Sequence, residues 1–198
     1  MGAVLGTQLK HNKSSGILIV ESFICKRILF NNNLFSILGL YWASGPIVNL
    51  SPNLLTGWEV CYIGGYDVLL HDILDSVLNQ CNKTNLLMAC RFINGTNFAV
   101  AAMGQRSDVI YETPNLSELH IANDVAWYFD RDSSWGFAKA TDSVVRTPCD
   151  SLFGSDDNFR LCWHTVNPFD GFRCGTAYFN LNGHFFSNQW LRVIYHAD

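Results

Sequence analysis

Between residues 67 and 80 the apolar positions fall at 69, 70, 73, 74, 77 and 78, the i, i+3, i+4 stripe of a helix with one buried face. Asp67 is placed to cap its first amides, Gly64-Gly65 lets the chain turn in, and Asn82 marks its stop. Past the helix the period shortens. Residues 86–93, 97–104, 108–113, 125–129, 160–166, 172–177 and 190–196 are short apolar or β-branched runs separated by turn residues, and they predict strands. Asn94-Gly95 predicts a two-residue type I′ hairpin, because both central positions of that turn need positive φ. It would set Phe92 opposite Asn97 and Cys90 opposite Ala99. Asp170-Gly171 and Asn182-Gly183 give further turn signals. The expected fold is α+β and β-rich: antiparallel sheets in two layers with one amphipathic helix, over residues 58–198.

The chain before that domain reads differently. No charged residue occurs from Ile28 to Trp58, and Leu34-Phe35-Ser36-Ile37-Leu38-Gly39-Leu40-Tyr41-Trp42-Ala43 is an apolar run behind Lys26-Arg27, followed by the small residues Ala43, Ser44 and Gly45. This is the pattern of a secretory h-region, too short to span a bilayer. Pro46 opposes cleavage at the preceding bond, and the run lies far from the initiator, so a start assigned too far upstream is part of the expectation. Ser51-Pro52-Asn53 and Thr56-Gly57 read as a linker, which makes residues 1–57 a targeting or anchor segment plus linker. The alternative is a buried N-terminal strand pair.

Composition sharpens this picture. The 198 residues are 48% hydrophobic and 14% aromatic, which excludes a disordered or fibrous chain, while charged residues at 15% fall well below the usual quarter. Residues 1–57 carry four basic groups and one acidic, a net +3. The remainder of the total −4 is −7, without a Lys/Arg cluster, which argues against nucleic acid and against anionic membrane surfaces as partners.

Seven cysteines occur, at 25, 61, 81, 90, 149, 162 and 174. Setting aside Cys25 leaves six in a low-charge domain behind a hydrophobic leader, the usage of an oxidising compartment and three disulfides. Fifteen pairings are open. Short closures form most easily, which selects Cys61–Cys81 across the helix and Cys149–Cys162 across an Asp-rich loop, leaving Cys90–Cys174. The sequons at Asn82, Asn94 and Asn115 lie at expected turns or loops and suit a secreted glycoprotein, with Asn82 and Asn115 the better acceptors.

Candidate chemistry is sparse. Asp150, Asp156, Asp157 and Asn158 supply the hard oxygens that calcium prefers, without the ladder spacing of an EF-hand, and a solvated turn-forming loop is the ordinary alternative; no other cofactor is expected. His164 is the one weak catalytic candidate, as a general base; a satisfied structural histidine is the ordinary role. No nucleophile elbow, phosphate-binding glycine loop or His-Glu-x-x-His helix is present. The aromatics are more suggestive: Trp135, beside Asp130 and Asp132, makes a surface able to stack on a sugar or anchor a protein partner.

The succession Val125-Ala-Trp-Tyr-Phe129, Ser134-Trp-Gly-Phe-Ala138, Cys149-Asp150, Arg160-Leu-Cys-Trp-His-Thr165, Gly171-Phe-Arg-Cys-Gly175, Leu181-Asn182 and Arg192-Val-Ile-Tyr195 resembles an uncharacterised cysteine-bridged domain of secreted proteins, found singly or in tandem. The match covers roughly Gly57 to Ala197. The resemblance implies an extracellular setting and an intact bridged module, and it assigns no activity and no functional residue. The expected function is a non-catalytic extracellular binding or surface module for a glycan or an extracellular protein. The alternatives are a secreted glycan hydrolase using His164 or paired carboxylates, and a structural module of an extracellular coat.

Overall fold

The computed structural model describes residues 27–30, 33–36, 39–146, 149–150, 157–166, 172–175 and 189–198. The chain divides into two compact units, Met1–Gly39 and Leu40–Asp198. In the first, β1 (Arg27–Phe30) and β2 (Asn33–Ser36) form an antiparallel hairpin with Arg27 opposite Ser36.

The second unit holds two five-stranded antiparallel sheets. Sheet I has the order β3-β6-β5-β12-β4, from β3 (Ile47–Leu50), β4 (Glu59–Gly65), β5 (Asn85–Phe92), β6 (Phe98–Gln105) and β12 (Trp190–Ala197). Sheet II has the order β11-β10-β9-β8-β7, from β7 (His120–Ala122), β8 (Val125–Phe129), β9 (Ser134–Lys139), β10 (Leu161–His164) and β11 (Phe172–Cys174). Helix α1 (Leu70–Gln80) follows β4, and a single helical turn, α2 (Arg106–Val109), follows β6.

The layers are held by side-chain alternation. Leu86, Met88 and Cys90 of β5 and Val100 and Ala102 of β6 face Trp127, Phe129, Trp135, Phe137 and Trp163 of sheet II, and Leu70, Leu74, Val77 and Leu78 of α1 enter the same core. The intervening residues Leu87, Ala89, Ala101 and Met103 point to the other side of sheet I, where Leu50, Leu55 and Trp58 cover them. Behind sheet II, Tyr128 packs with Cys149 and Cys162. Each sheet therefore has cover on both faces, although Val60 and Ile63 at the β4 edge of sheet I stay exposed.

Cys61–Cys81, Cys90–Cys174 and Cys149–Cys162 are disulfides, with Cα separations of 5.2, 5.8 and 5.8 Å. They are the three expected pairings, two of them short closures and the third the pair that these leave. The first ties β4 to the end of α1 and the second ties the two sheets together across the core.

Several local expectations give way. Ser51-Pro52-Asn53 and Thr56-Gly57, expected as a linker, lie inside the second unit: Tyr41 and Thr56 are joined backbone to backbone, and Ile47 and Val48 pair with Ala101 and Val100, because the apolar outer side of sheet I needs a cover. The Asn94-Gly95 turn is wider than two residues, since β5 ends at Phe92, β6 begins at Phe98, and Cys90 pairs with Val100 in place of Ala99. The two-residue loop with both positions at positive φ is instead Asn123-Asp124 (φ 52° and 58°), closing β7 on β8 with Ala122 opposite Val125. Residues 106–109 form α2 where a strand from 108 was expected. Asp67 does not cap α1; the helix starts three residues later, with Leu69 at the N-cap and no side chain on its first amides. Asp170-Gly171 and Asn182-Gly183 lie outside the described residues.

Candidate functional site

The residues singled out by sequence do not converge. Trp135 is completely buried: alternation places it between the sheets, its ring edge-on to Phe129 and Trp163 and its indole N–H donating to the Val109 carbonyl at 3.0 Å. It is a core residue and presents no surface to a ligand. Asp130 and Asp132 lie in the β8–β9 loop, where the Asp130 carboxylate accepts from the Asp132 amide at 2.8 Å and lies 4.0 Å from Arg146.

Asp150 belongs to a buried ionic network behind sheet II. Arg160 donates to both its carboxylate oxygens at 3.0 and 3.2 Å, Arg173 stands 3.6 Å away and donates to its backbone carbonyl, and Asp142 receives the other arm of Arg160. Burial pushes the Asp150 carboxyl above the usual range, against the pull of Arg160 and Arg173. Both Asp150 oxygens accept from Arg160. Asp157 opens a short 3-10 turn, Asn158 is exposed and Asp156 lies outside the described residues. Among the described residues no group of three or more His, Cys, Asp or Glu converges as a metal site. Asn82, Asn94 and Asn115 are all exposed, and the Asn115 side chain accepts from the amide and hydroxyl of Ser117 within its own sequon.

The one sequence candidate that meets other polar groups is His164. It stands half-buried at the end of β10 and lines a cleft with Tyr66, Val68, Leu69, Leu70, Trp163, Phe172 and Arg192. Each wall follows from local structure. Tyr66 comes directly after β4, where its ring lies 3.9 Å from that of Phe172, and its hydroxyl accepts the Trp163 indole N–H at 2.7 Å. Leu69 and Leu70 open α1, whose first amides no side chain caps. Arg192 reaches in from β12. Its guanidinium lies 5.4 Å over the Tyr66 ring and donates to the carbonyls of Gly65, at 2.6 Å, and Val68, which pins it to the turn leading into the helix.

The electrostatics of the cleft are fixed by burial. Arg192 is 2% exposed, yet its Nε has no hydrogen-bond partner, and neither has the buried hydroxyl of Tyr62 close by. Burial lowers the Arg192 guanidinium from its ordinary value, opposed by Tyr62, Tyr66 and Asp67, and it remains a cation. Burial also pushes the Tyr66 hydroxyl well above the ordinary phenol range, so it stays neutral. The free interior is about 10 Å³, the room of a single water. Arg192 and Tyr66 carried no sequence signal as site residues, because an arginine inside a β-branched run and a tyrosine after a Gly-Gly pair acquire meaning only through mutual burial.

The chain matches no protein-family model, no curated protein and no solved structure. No helix among the described residues is long and apolar enough to cross a membrane.

Proposed function

We propose that this chain is a non-catalytic extracellular binding module that holds a carbohydrate or protein ligand at the Tyr66–Trp163–Arg192 cleft. The observation that carries the reading is Arg192: a cation immobilised by two backbone carbonyls, walled by aromatic rings, with one buried donor unused. Pre-organised polar groups in an aromatic-lined recess are the ordinary equipment of a ligand site. Three disulfides support a setting that is secreted or at the cell surface. Burial holds Tyr66 neutral, and Arg192 stays charged in spite of burial, so neither is poised to exchange a proton near neutral pH. The alternative, a secreted glycan hydrolase, would depend on His164 or on paired carboxylates.

A second reading is favoured by a different surface. Trp42, Val60 and Ile63 are 43%, 50% and 51% exposed; Val60 and Ile63 lie on the outer side of sheet I, opposite Tyr195 and Val193, and Trp42 stacks on Trp58 of the same face. An apolar patch of this kind suits a structural module packed against neighbours in a coat.

The test is expression through a eukaryotic secretory pathway. A mature chain lighter than its reduced form by two hydrogens per disulfide, carrying glycan at Asn82 and Asn115, is expected, followed by retention on glycan or extracellular-protein arrays that survives His164→Ala. Turnover of an arrayed glycan, abolished by His164→Ala, would replace the binding module with the hydrolase.

A further inference from the structure

We infer that the Tyr66–Trp163–Arg192 cleft recognises a carboxylate, one oxygen of which enters between the first turn of α1 and the Arg192 guanidinium. The inference rests on the binding reading and adds the chemical group that is held. Three independent features converge on it. Helix α1 is eleven residues long and presents its first-turn amides without a side-chain cap, a concentration of positive dipole at the residues Leu69 and Leu70 that line the cleft. Arg192 is 2% exposed and lines the same cleft, with its Nε buried and unpartnered; such a donor calls for an oxygen acceptor. The Tyr66 hydroxyl already accepts from Trp163, so its own hydrogen is available to a third group.

Size selects among anions. Room for one water admits one oxygen of a flat carboxylate whose remainder stays at the mouth, where Val68 is exposed and His164 forms part of the rim. A tetrahedral sulfate or phosphate with one oxygen in that room leaves three oxygens outside it, where a carboxylate leaves one. Charge also acts against an anion here: Asp67 precedes the helix and acts on Arg192, and Asp72 lies in the first turn. Both are exposed, so solvent and salt screen them, whereas Arg192 is shielded. The guanidinium and the helix terminus therefore dominate inside the cleft.

The experiment is a titration of the isotope-labelled full chain with acetate, at ionic strength held constant with chloride, read by nuclear magnetic resonance. Saturable shifts confined to the amides of residues 70–73, the Trp163 indole and the Arg192 Nε–H are expected, with inorganic phosphate weaker than acetate. Arg192→Gln should weaken acetate by about tenfold or more, the loss of a charge-assisted hydrogen bond. If that variant does not fold, the wild-type titration decides alone: linear shifts scattered over the surface, or saturation by phosphate with acetate silent, overturn the inference. A ligand retained on the arrays but not displaced by acetate would leave the binding reading standing and remove the carboxylate. Saturation by acetate with no ligand retained on the arrays would do the reverse.

Discussion

The indole N–H of Trp163 in sheet II donates to the hydroxyl of Tyr66, the residue directly after β4 of sheet I, at 2.7 Å, so that a buried hydrogen bond joins the two layers beside the cleft. Tyr66→Phe keeps the ring against Phe172 but leaves the indole N–H unsatisfied. The expected cost is about 1–3 kcal/mol, the penalty of one orphaned buried donor. Urea unfolding monitored by tryptophan fluorescence measures it, and an unchanged midpoint would show that water replaces the hydroxyl.

The ionic network behind sheet II makes a sharper prediction. Asp150→Asn removes the charge that Arg160 grips through two oxygens and that Arg173 faces at 3.6 Å, and it leaves two buried guanidinium groups under-compensated. A loss of about 3–5 kcal/mol is expected. Asp132→Asn, at an exposed position, serves as the control and should shift the urea midpoint little.

The disulfides should not be equivalent. Cys90–Cys174 spans 84 residues and Cys149–Cys162 spans 13, which in the loop-closure model separates their contributions by about 1.5 kcal/mol. Replacing each pair by alanines should therefore destabilise more for Cys90/Cys174, as judged from chemical denaturation. The opposite ranking would show that native packing around Cys149 outweighs chain entropy.

Stability should also fall on mild acidification. His196 lies near Glu59 and Lys83, and burial, helped by Lys83, holds its imidazole below its ordinary value of 6.5. Below about pH 6.5 the unfolded chain takes up a proton that the folded chain resists, so stability present above that pH is lost on descending towards the folded value. His196→Gln should flatten this slope in urea midpoints measured across the window. Glu59, whose carboxyl the Lys83 contact lowers, acts only in the more acidic range.

How much of this could be read from residues alone follows from what each pattern reports. The stripe through Leu70, Leu74, Val77 and Leu78 marks the buried face of α1 because a 3.6-residue period has no other cause, and β8 appears with its limits intact. Strand alternation sends Trp127 and Tyr128 to opposite faces, but it carries no information on whether the far side is covered. Tyr128 is as buried as Trp127 because Cys149 and Cys162 cover it, whereas Trp135 lies out of reach of any ligand in the core between the sheets, beside Trp127. β7 is too short for a period, and its turn uses Asn-Asp where glycine was sought. The cleft was invisible because Arg192 and Tyr66 meet only through the β4–β12 pairing, a long-range register no local window reports.

The arm from Leu40 to Trp58 carries a practical lesson for anyone shortening the gene. Tyr41 is clasped by Thr56 and Trp58, while Leu50, Leu55 and Trp58 roof the side of sheet I formed by Leu87, Phe98 and Met103. A recombinant fragment trimmed to start at the apparent linker would lose Tyr41 and Leu50 from that oily wall and strip β6 of β3, its neighbour on the sheet edge, inviting clumping before a ligand could be tried.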